Sequence, residues 1–359
     1  MPTTADIHIP PGLRTLPHSA LILVTGANGL IASHATDQLL AAGYRVRGTV
    51  RSIARCAYLG PLFEARHGPG RFELGEIPDV TDAEVWDLAM YGVSAVAHVL
   101  GGTDLAVQDA DAAAEEELKW QVTILEAAKR AEGVKSVVFT SSAWAAWTPD
   151  AGKAAQLTEA SWNDEAVALA RDKRVPAEKK GLAGFMAFKT LVEKGVWKWV
   201  EKNKPAFAFN TLLLDTVMGE CLDPANQGIP STAGMVRWVW ENSHVELLNM
   251  MQPQWFVDCR DTGRLYVGLL ATTPKIDRQR VFGFGARYSW FQVGEIMKGL
   301  YPERADQVAK VKDLRRDQTE VPNEVGVDLL ARLGQFEGWR SLEESVKENA
   351  ESWLKLEQK

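Results

Sequence analysis

The 359-residue chain is 46% apolar and 24% charged, the make-up of a folded protein and not of a disordered one. Its net charge of -7, from 40 basic and 47 acidic side chains, disfavours nucleic acid as a partner. No apolar run is long enough to span a bilayer, and Cys56, Cys221 and Cys259 stand too far apart for a zinc site or a disulfide framework, so we expect no metal, no membrane and a reducing, cytoplasmic setting.

Residues 1–18 carry Pro2, Pro10, Pro11 and Pro17 and read as a surface arm. An apolar run at 20–24 then predicts a buried strand, and a Gly-rich turn leads from it into helical periodicity over 30–42, ended by Gly43. Strands are predicted at 45–50, 72–76, 93–100, 134–140 and 206–214. Helices are predicted between them at 53–66, from the capping pair Thr81–Asp82, at 109–131 and at 183–202. Strand alternating with helix argues for an α/β fold, a doubly wound parallel sheet of Rossmann type. Past Asp215 the rhythm breaks at Gly219, Pro224, Gly228 and Pro230, and an amphipathic helix runs from 341 to the end. The expected organisation is an arm (1–18), a nucleotide-binding domain (19–214) and a smaller, mainly C-terminal substrate-binding lobe (215–359).

The first turn reads Thr25-Gly26-Ala27-Asn28-Gly29-Leu30-Ile31-Ala32, after a strand and opening a helix. Gly26 permits the tight turn, Gly29 admits a pyrophosphate to the backbone, and the free N–H groups at Leu30 and Ile31 face its charge. A small third residue, Ala32, still allows close helix–strand packing. A dinucleotide site for NAD would place an acidic residue at the end of the second strand to bond the ribose 2′-hydroxyl. Here Arg51 stands instead, with nothing acidic nearby, and a guanidinium suits a 2′-phosphate. The expected cofactor is NADP(H), with Asp79 and Val80 beside the adenine ring.

These residues, together with the segments VTGANGLIASH, YRVRGTVRS, VVFTSSA, EKGVWKWVEKNKPAF, STAGMV and WFVDCRDTGRLYVGLL, resemble the extended short-chain dehydrogenases/reductases. The branch is that of dihydroflavonol-reductase-like and yeast-type aldehyde and ketone reductases, and the likeness runs from about residue 18 to 350. It implies NADPH binding, carbonyl reduction in a cleft beneath the C-terminal lobe, and a monomer or weak dimer. It also implies a working set of Ser, Tyr and Lys, with Tyr and Lys four apart on one helix face. A tyrosine lowered in pKa by a lysine ammonium protonates the oxygen that hydride transfer leaves charged, and the serine bonds the same oxygen.

Ser142 falls in the serine position, with Ser141 a weaker candidate, and Lys189 in the lysine position, where it would also hold the cofactor. Four residues earlier stands Phe185, so the proton donor is absent. The family's small polar residue before the lysine is Phe188 here, its His-Val-Ala-Ser-Pro reads His98-Val99-Leu100-Gly101-Gly102, and a proline after the sixth strand is Leu214. All these departures fall on the nicotinamide and substrate side. The chain has 13 Trp and only 6 Tyr, and Trp144, Phe188, Leu214 and Met218, with Trp147 and Trp120 in support, are the expected apolar walls for a small hydrophobic or aromatic substrate. Two readings follow: an NADPH-dependent reductase of a bulky carbonyl compound with a substituted proton source, or a redox-neutral enzyme (a cyclase, isomerase or lyase) on the same scaffold. Asp104, Asp215 and Glu220 are the acid–base candidates for the second. His98 and His34 read as structural.

Overall fold

The computed structural model describes residue 7 and residues 9–176, 180–273 and 275–357. Its strands are β1 Leu21–Val24, β2 Arg45–Val50, β3 Phe72–Glu76, β4 Val93–His98, β5 Ser136–Ser142, β6 Ala208–Leu214, β7 Thr216–Met218, β8 Gln254–Asp258, β9 Gln279–Gly283 and β10 Ala286–Tyr288. Its helices are α1 Leu30–Ala41, α2 Ile53–Cys56, α3 Leu59–His67, α4 Ala83–Ala89, α5 Ala110–Arg130, α6 Asp164–Arg171 and α7 Ala183–Asn203. There follow α8 Pro224–Gln227, α9 Ser231–Glu241, α10 Val245–Met250, α11 Cys259–Ala271, α12 Trp290–Leu300, α13 Glu324–Arg332 and α14 Leu342–Glu357.

Seven strands form one parallel sheet in the order β3-β2-β1-β4-β5-β6-β9, and β10-β8-β7 form a second, mixed sheet. The order reverses between β1 and β4, which is where open α/β sheets bind ligands. Each face of the main sheet has its own core, because buried strands are apolar on both sides. One core joins Ile22, Val24 and Leu212 to α1 and α11 through Leu39, Leu40, Leu265 and Leu269. The other joins Leu23, Val96 and Phe209 to α5 and α7 through Ile124, Leu125, Val192 and Val196. The small sheet packs on α9, α12 and α14 around Val236, Val293 and Trp353.

Four local differences from the sequence reading have physical causes. The helix expected over 53–66 is two helices, and the restart at Leu59 puts Pro61 in a first turn, where its missing N–H costs nothing. Strand β4 stops at His98 because the N–H groups of Val99 and Leu100 both donate to Thr25 Oγ1, each at 2.9 Å, and so leave the ladder. Strand β9, beyond Asp215, completes the main sheet against β6. Of the arm, residues 1–6 and 8 lie outside the described residues; Ile7, Ile9 and Leu16 are buried in the α1–α11 core, and Arg14 pairs with Thr272.

Candidate functional site

The Gly-rich turn takes the geometry its residues allow. Gly26 has φ +70°, a backbone that side chains disfavour. Its N–H donates to Thr49 Oγ1 at 3.4 Å, and Gly29 N donates to Gly26 O at 2.9 Å. Gly29 precedes α1 as its N-cap with no side chain capping the first turn, so the N–H groups of Leu30 and Ile31 open the helix. Asn28 is exposed, and its carbonyl, with Ser33 Oγ, accepts from Gln227 of α8 at 3.0 and 3.1 Å. Arg51 is exposed at the end of β2. Asp79 lies exposed after β3; Thr81 donates to its Oδ1 from Oγ1 at 2.7 Å and from N at 2.8 Å, which holds the carboxyl below its ordinary range. The carbonyl of Val80 accepts from Trp86 Nε1 at 2.9 Å.

Behind this turn lies a buried polar relay. Thr25 Oγ1 meets His98 Nδ1 at 2.9 Å, and His98 Nε2 donates to Gln121 Oε1. Gln121 Nε2 donates to Glu117 Oε1 at 2.9 Å, and Glu117 Oε2 accepts from Gly102 N at 2.9 Å. Burial pushes His98 down to about 4, so its ring is neutral near pH 7. His34, also lowered by burial, bonds Glu220 O at 2.8 Å.

Lys189 ends the relay. Its Nζ donates to Gly102 O at 2.5 Å and lies 5.4 and 5.3 Å from the ring centres of Phe185 and Phe188. Burial lowers its pKa, and the Glu117 carboxylate opposes that shift. A side chain on Gly102 would place its Cβ 2.6 Å from Glu117 Oε2 and 2.9 Å from Phe188 Cζ. The glycine is what lets this loop reach the lysine. Gly102 was named in the sequence only as part of a departure from the family pattern, and Glu117 and Gln121 were not singled out. The visible signal was a Glu/Gln pair four apart on the inner face of α5.

Ser142 closes β5, pairs in register with Leu214, and accepts from Trp144 N at 3.2 Å. Ser141 points elsewhere and donates to Glu193 Oε2 at 2.7 Å, in a buried cluster with Arg280. Trp144 lies edge-on to Phe185, ring centres 5.8 Å apart, and donates from Nε1 to Gln254 Oε1 at 2.8 Å. Phe185, Phe188, Lys189 and Trp144 are thus brought together beside the end of β5. Leu214 and Met218 are not. Leu214 is packed in the α1–α11 core and Met218 in the core of the small sheet. Trp120 meets the edge of His98, and Trp147 packs on Phe284.

Of the acid–base candidates, Asp104 is an exposed turn residue capping Ala106 N. Asp215 directly follows β6. Its Oδ2 accepts from Trp255 N at 3.0 Å and its Oδ1 from Thr216 Oγ1 at 3.3 Å. Burial, with the neighbouring Asp317 adding to it, raises its pKa well above the carboxylate range. An open hollow of about 740 Å³, lined by Trp162, Trp197, Lys204 and Arg280, lies on the far side of α7. It shares no residue with the constellation above. No cluster of metal-ligating side chains and no helix able to cross a membrane occurs among the described residues.

Residues 22–166 match the NAD dependent epimerase/dehydratase family. The chain is 34% identical over 334 residues to aldehyde reductase 2 of Sporidiobolus salmonicolor, covering 93% of this chain and 96% of that one. It is 35% identical over 352 residues to the ketoreductase adrE of Penicillium rubens, covering 96% and 98%. In fold it is similar to Gre2 from Candida albicans in complex with NADPH, with a TM-score of 0.75 at 21% identity over 93% of this chain and 98% of that chain.

Proposed function

The chain belongs to the NAD-dependent epimerase/dehydratase family, within the extended short-chain dehydrogenases/reductases, and from that premise we propose that it is an NADP(H)-dependent reductase of a bulky hydrophobic or aromatic ketone or aldehyde. The observation that carries the reading is the pairing of two half-sites along the C-terminal edge of one sheet. One is the Gly26–Ile31 turn with Arg51; the other is Ser142 with Lys189. The residues present fit a dinucleotide at its phosphate end. Gly26 holds a positive φ, the first turn of α1 carries no side-chain cap, and Arg51 forms no ion pair among the described residues.

Gly26, Asn28, Gly29, Leu30 and Ile31 would line the pyrophosphate, Arg51 the 2′-phosphate, Asp79 and Val80 the adenine, and Lys189 the nicotinamide ribose. The bound cofactor supplies hydride. The chain's own part is to hold the carbonyl oxygen at Ser142, to flank the substrate with Trp144, Phe185 and Phe188, and to deliver a proton without a hydroxyl at 185. The aldehyde reductase and ketoreductase relatives support this reaction class.

One observation favours the redox-neutral alternative. The Lys189 ammonium is already bonded to Gly102 O and walled by two phenyl rings. Calorimetric titration of NADPH and NADP+, followed by nicotinamide absorbance with a panel of aromatic ketones and aldehydes, separates the readings. NADPH binding with turnover is the expected result. Binding without turnover on any carbonyl points to cyclisation, isomerisation or elimination. Binding of neither nucleotide defeats the reductase and the role given to Arg51.

A further inference from the structure

Loss of the hydroxyl at position 185 leaves a question of chemistry: which group protonates the substrate oxygen? Among the side chains around the end of β5, Phe185, Phe188 and Trp144 present phenyl and indole surfaces, and Lys189 is tied to Gly102 O. The next rung of the sheet supplies a different kind of group. Leu214 sits opposite Ser142 in the β5–β6 register, and Asp215 is the residue that follows it. Adjacent strands run about 4.8 Å apart, so the Asp215 backbone borders the residue carrying the proposed oxygen ligand.

We propose that Asp215 is the general acid that protonates the substrate oxygen held at Ser142. This rests on the carbonyl chemistry proposed above, and it replaces an aromatic acid on α7 with a carboxylic acid at the end of β6.

Three features of the surroundings support it. First, the carboxyl is fixed but not neutralised. Trp255 N and Thr216 Oγ1 hold its two oxygens, and no cation pairs with it among the described residues. Second, the position is tied to the aromatic cluster by consecutive residues of β8. Gln254 holds the Trp144 indole, which packs on Phe185, while Trp255 holds Asp215. Third, Asp215 is only partly buried, whereas Tyr288, joined to it through Thr216 Oγ1 at 2.8 Å, is 2% exposed. Of the two residues, Asp215 is the less enclosed.

Burial and the neighbouring Asp317 carboxyl favour the neutral form of Asp215, against the hydrogen bonds from Trp255 N and Thr216, which favour the carboxylate. Asp317 contributes a second carboxyl, held by Thr319 and by Arg287 at 3.6 Å, and Tyr288 is kept protonated by burial. A carboxyl kept protonated by burial is able to donate a proton.

The step balances as follows. The Asp215 O–H bond breaks, the carbonyl π pair takes the proton to become a hydroxyl, and Asp215 is left as carboxylate. In a reduction the carbon receives hydride from a reduced nicotinamide dinucleotide. In a redox-neutral cyclisation it receives a π pair of the substrate instead. Water reprotonates Asp215 after product leaves.

The test uses the whole protein with 2-acetonaphthone as the carbonyl probe. Infrared difference spectra of wild type against Asp215→Asn at pH 7 should contain a protonated-carboxyl C=O band, and that band should shift when the ketone binds without nucleotide. With NADPH present, Asp215→Asn should lose about 10²- to 10⁴-fold in kcat. NADPH affinity should be unchanged, and the loss of rate at high pH expected of wild type should be absent. Asp215→Glu should restore the infrared band and part of the rate, which also covers failure of the Asn variant to fold. A missing band, or a band that ignores the ketone, overturns the proposal. So does an Asn variant that keeps the wild-type pH limb. If wild type binds the ketone but reduces nothing, the reductase reading falls, while the infrared shift still decides the role of Asp215.

Discussion

Arg51 and Phe185 show how differently two single residues can be read. Arg51 is an ordinary residue type whose proposed role rests on its position, and the structure leaves it exposed at the end of β2. Hydrogen bonds to a charged group are worth about 1.5–3 kcal/mol. Arg51→Ala should therefore weaken NADPH binding by about 10- to 100-fold and leave NADH binding nearly unchanged, as read by titration calorimetry with both nucleotides. Phe185 was legible only as an absence, a helix position where a Tyr–Lys pair was expected. Its surroundings were not legible, because the contacts of Trp144 and of the loop at Gly102 come from segments far apart in the chain. Leu214 and Met218 show the limit of reasoning from position. Leu214 ends β6 of the main sheet and Met218 ends β7 of the smaller one, so the two side chains enter different cores.

Among the elements, β1, β4 and α5 are locked by the Thr25–His98–Gln121 relay. Its charge state gives a pH dependence with a definite sign. In the unfolded chain a histidine titrates near 6.5, whereas here it is held at about 4. Between those values the unfolded state binds more protons, so stability falls as pH drops through that window, by up to about 3 kcal/mol. Urea unfolding of wild type and His98→Gln, compared from pH 7 to pH 4, should show a shallower decline in the variant. Most elements were legible because periodicity and caps are local signals. The predicted helix at 109–131 is α5, begun by Asp109 accepting from Ala112 N at 3.0 Å. Strand ends were less so, since what stops β4 is a threonine hydroxyl on another strand.

In the whole molecule, the division at Asp215 seen in the sequence rhythm is crossed repeatedly by the chain. Strand β9 pairs with β6, α11 packs on α1, and Arg280 of β9 pairs with buried Glu193 of α7 at 2.8 Å. A fragment of residues 1–214 would expose the apolar edge of β6 and the face of α1, and it would leave Glu193 as an unpaired buried charge, a loss that typically costs about 3–5 kcal/mol. We expect the fragment to show no cooperative thermal transition by circular dichroism and the full chain to melt in one. The existence and parallel pairing of the first six strands were readable from alternation, but not their order in the sheet. Which later strand returns was not readable either, because nothing local distinguishes a strand that returns to the main sheet from one that joins the smaller sheet.

The loop at Gly102 also constrains the order in which this chain can change. With Glu117 and Phe188 both in place, no residue larger than glycine fits at 102 without displacing one of them. A variant that first gains a side chain there is handicapped before any benefit arises. One that first trims Phe188 removes one of the two obstructions and one of the two rings beside the lysine in the same step. The two substitutions are epistatic, and a laboratory lineage selected toward an open nicotinamide pocket should accumulate changes at 188 before any at 102.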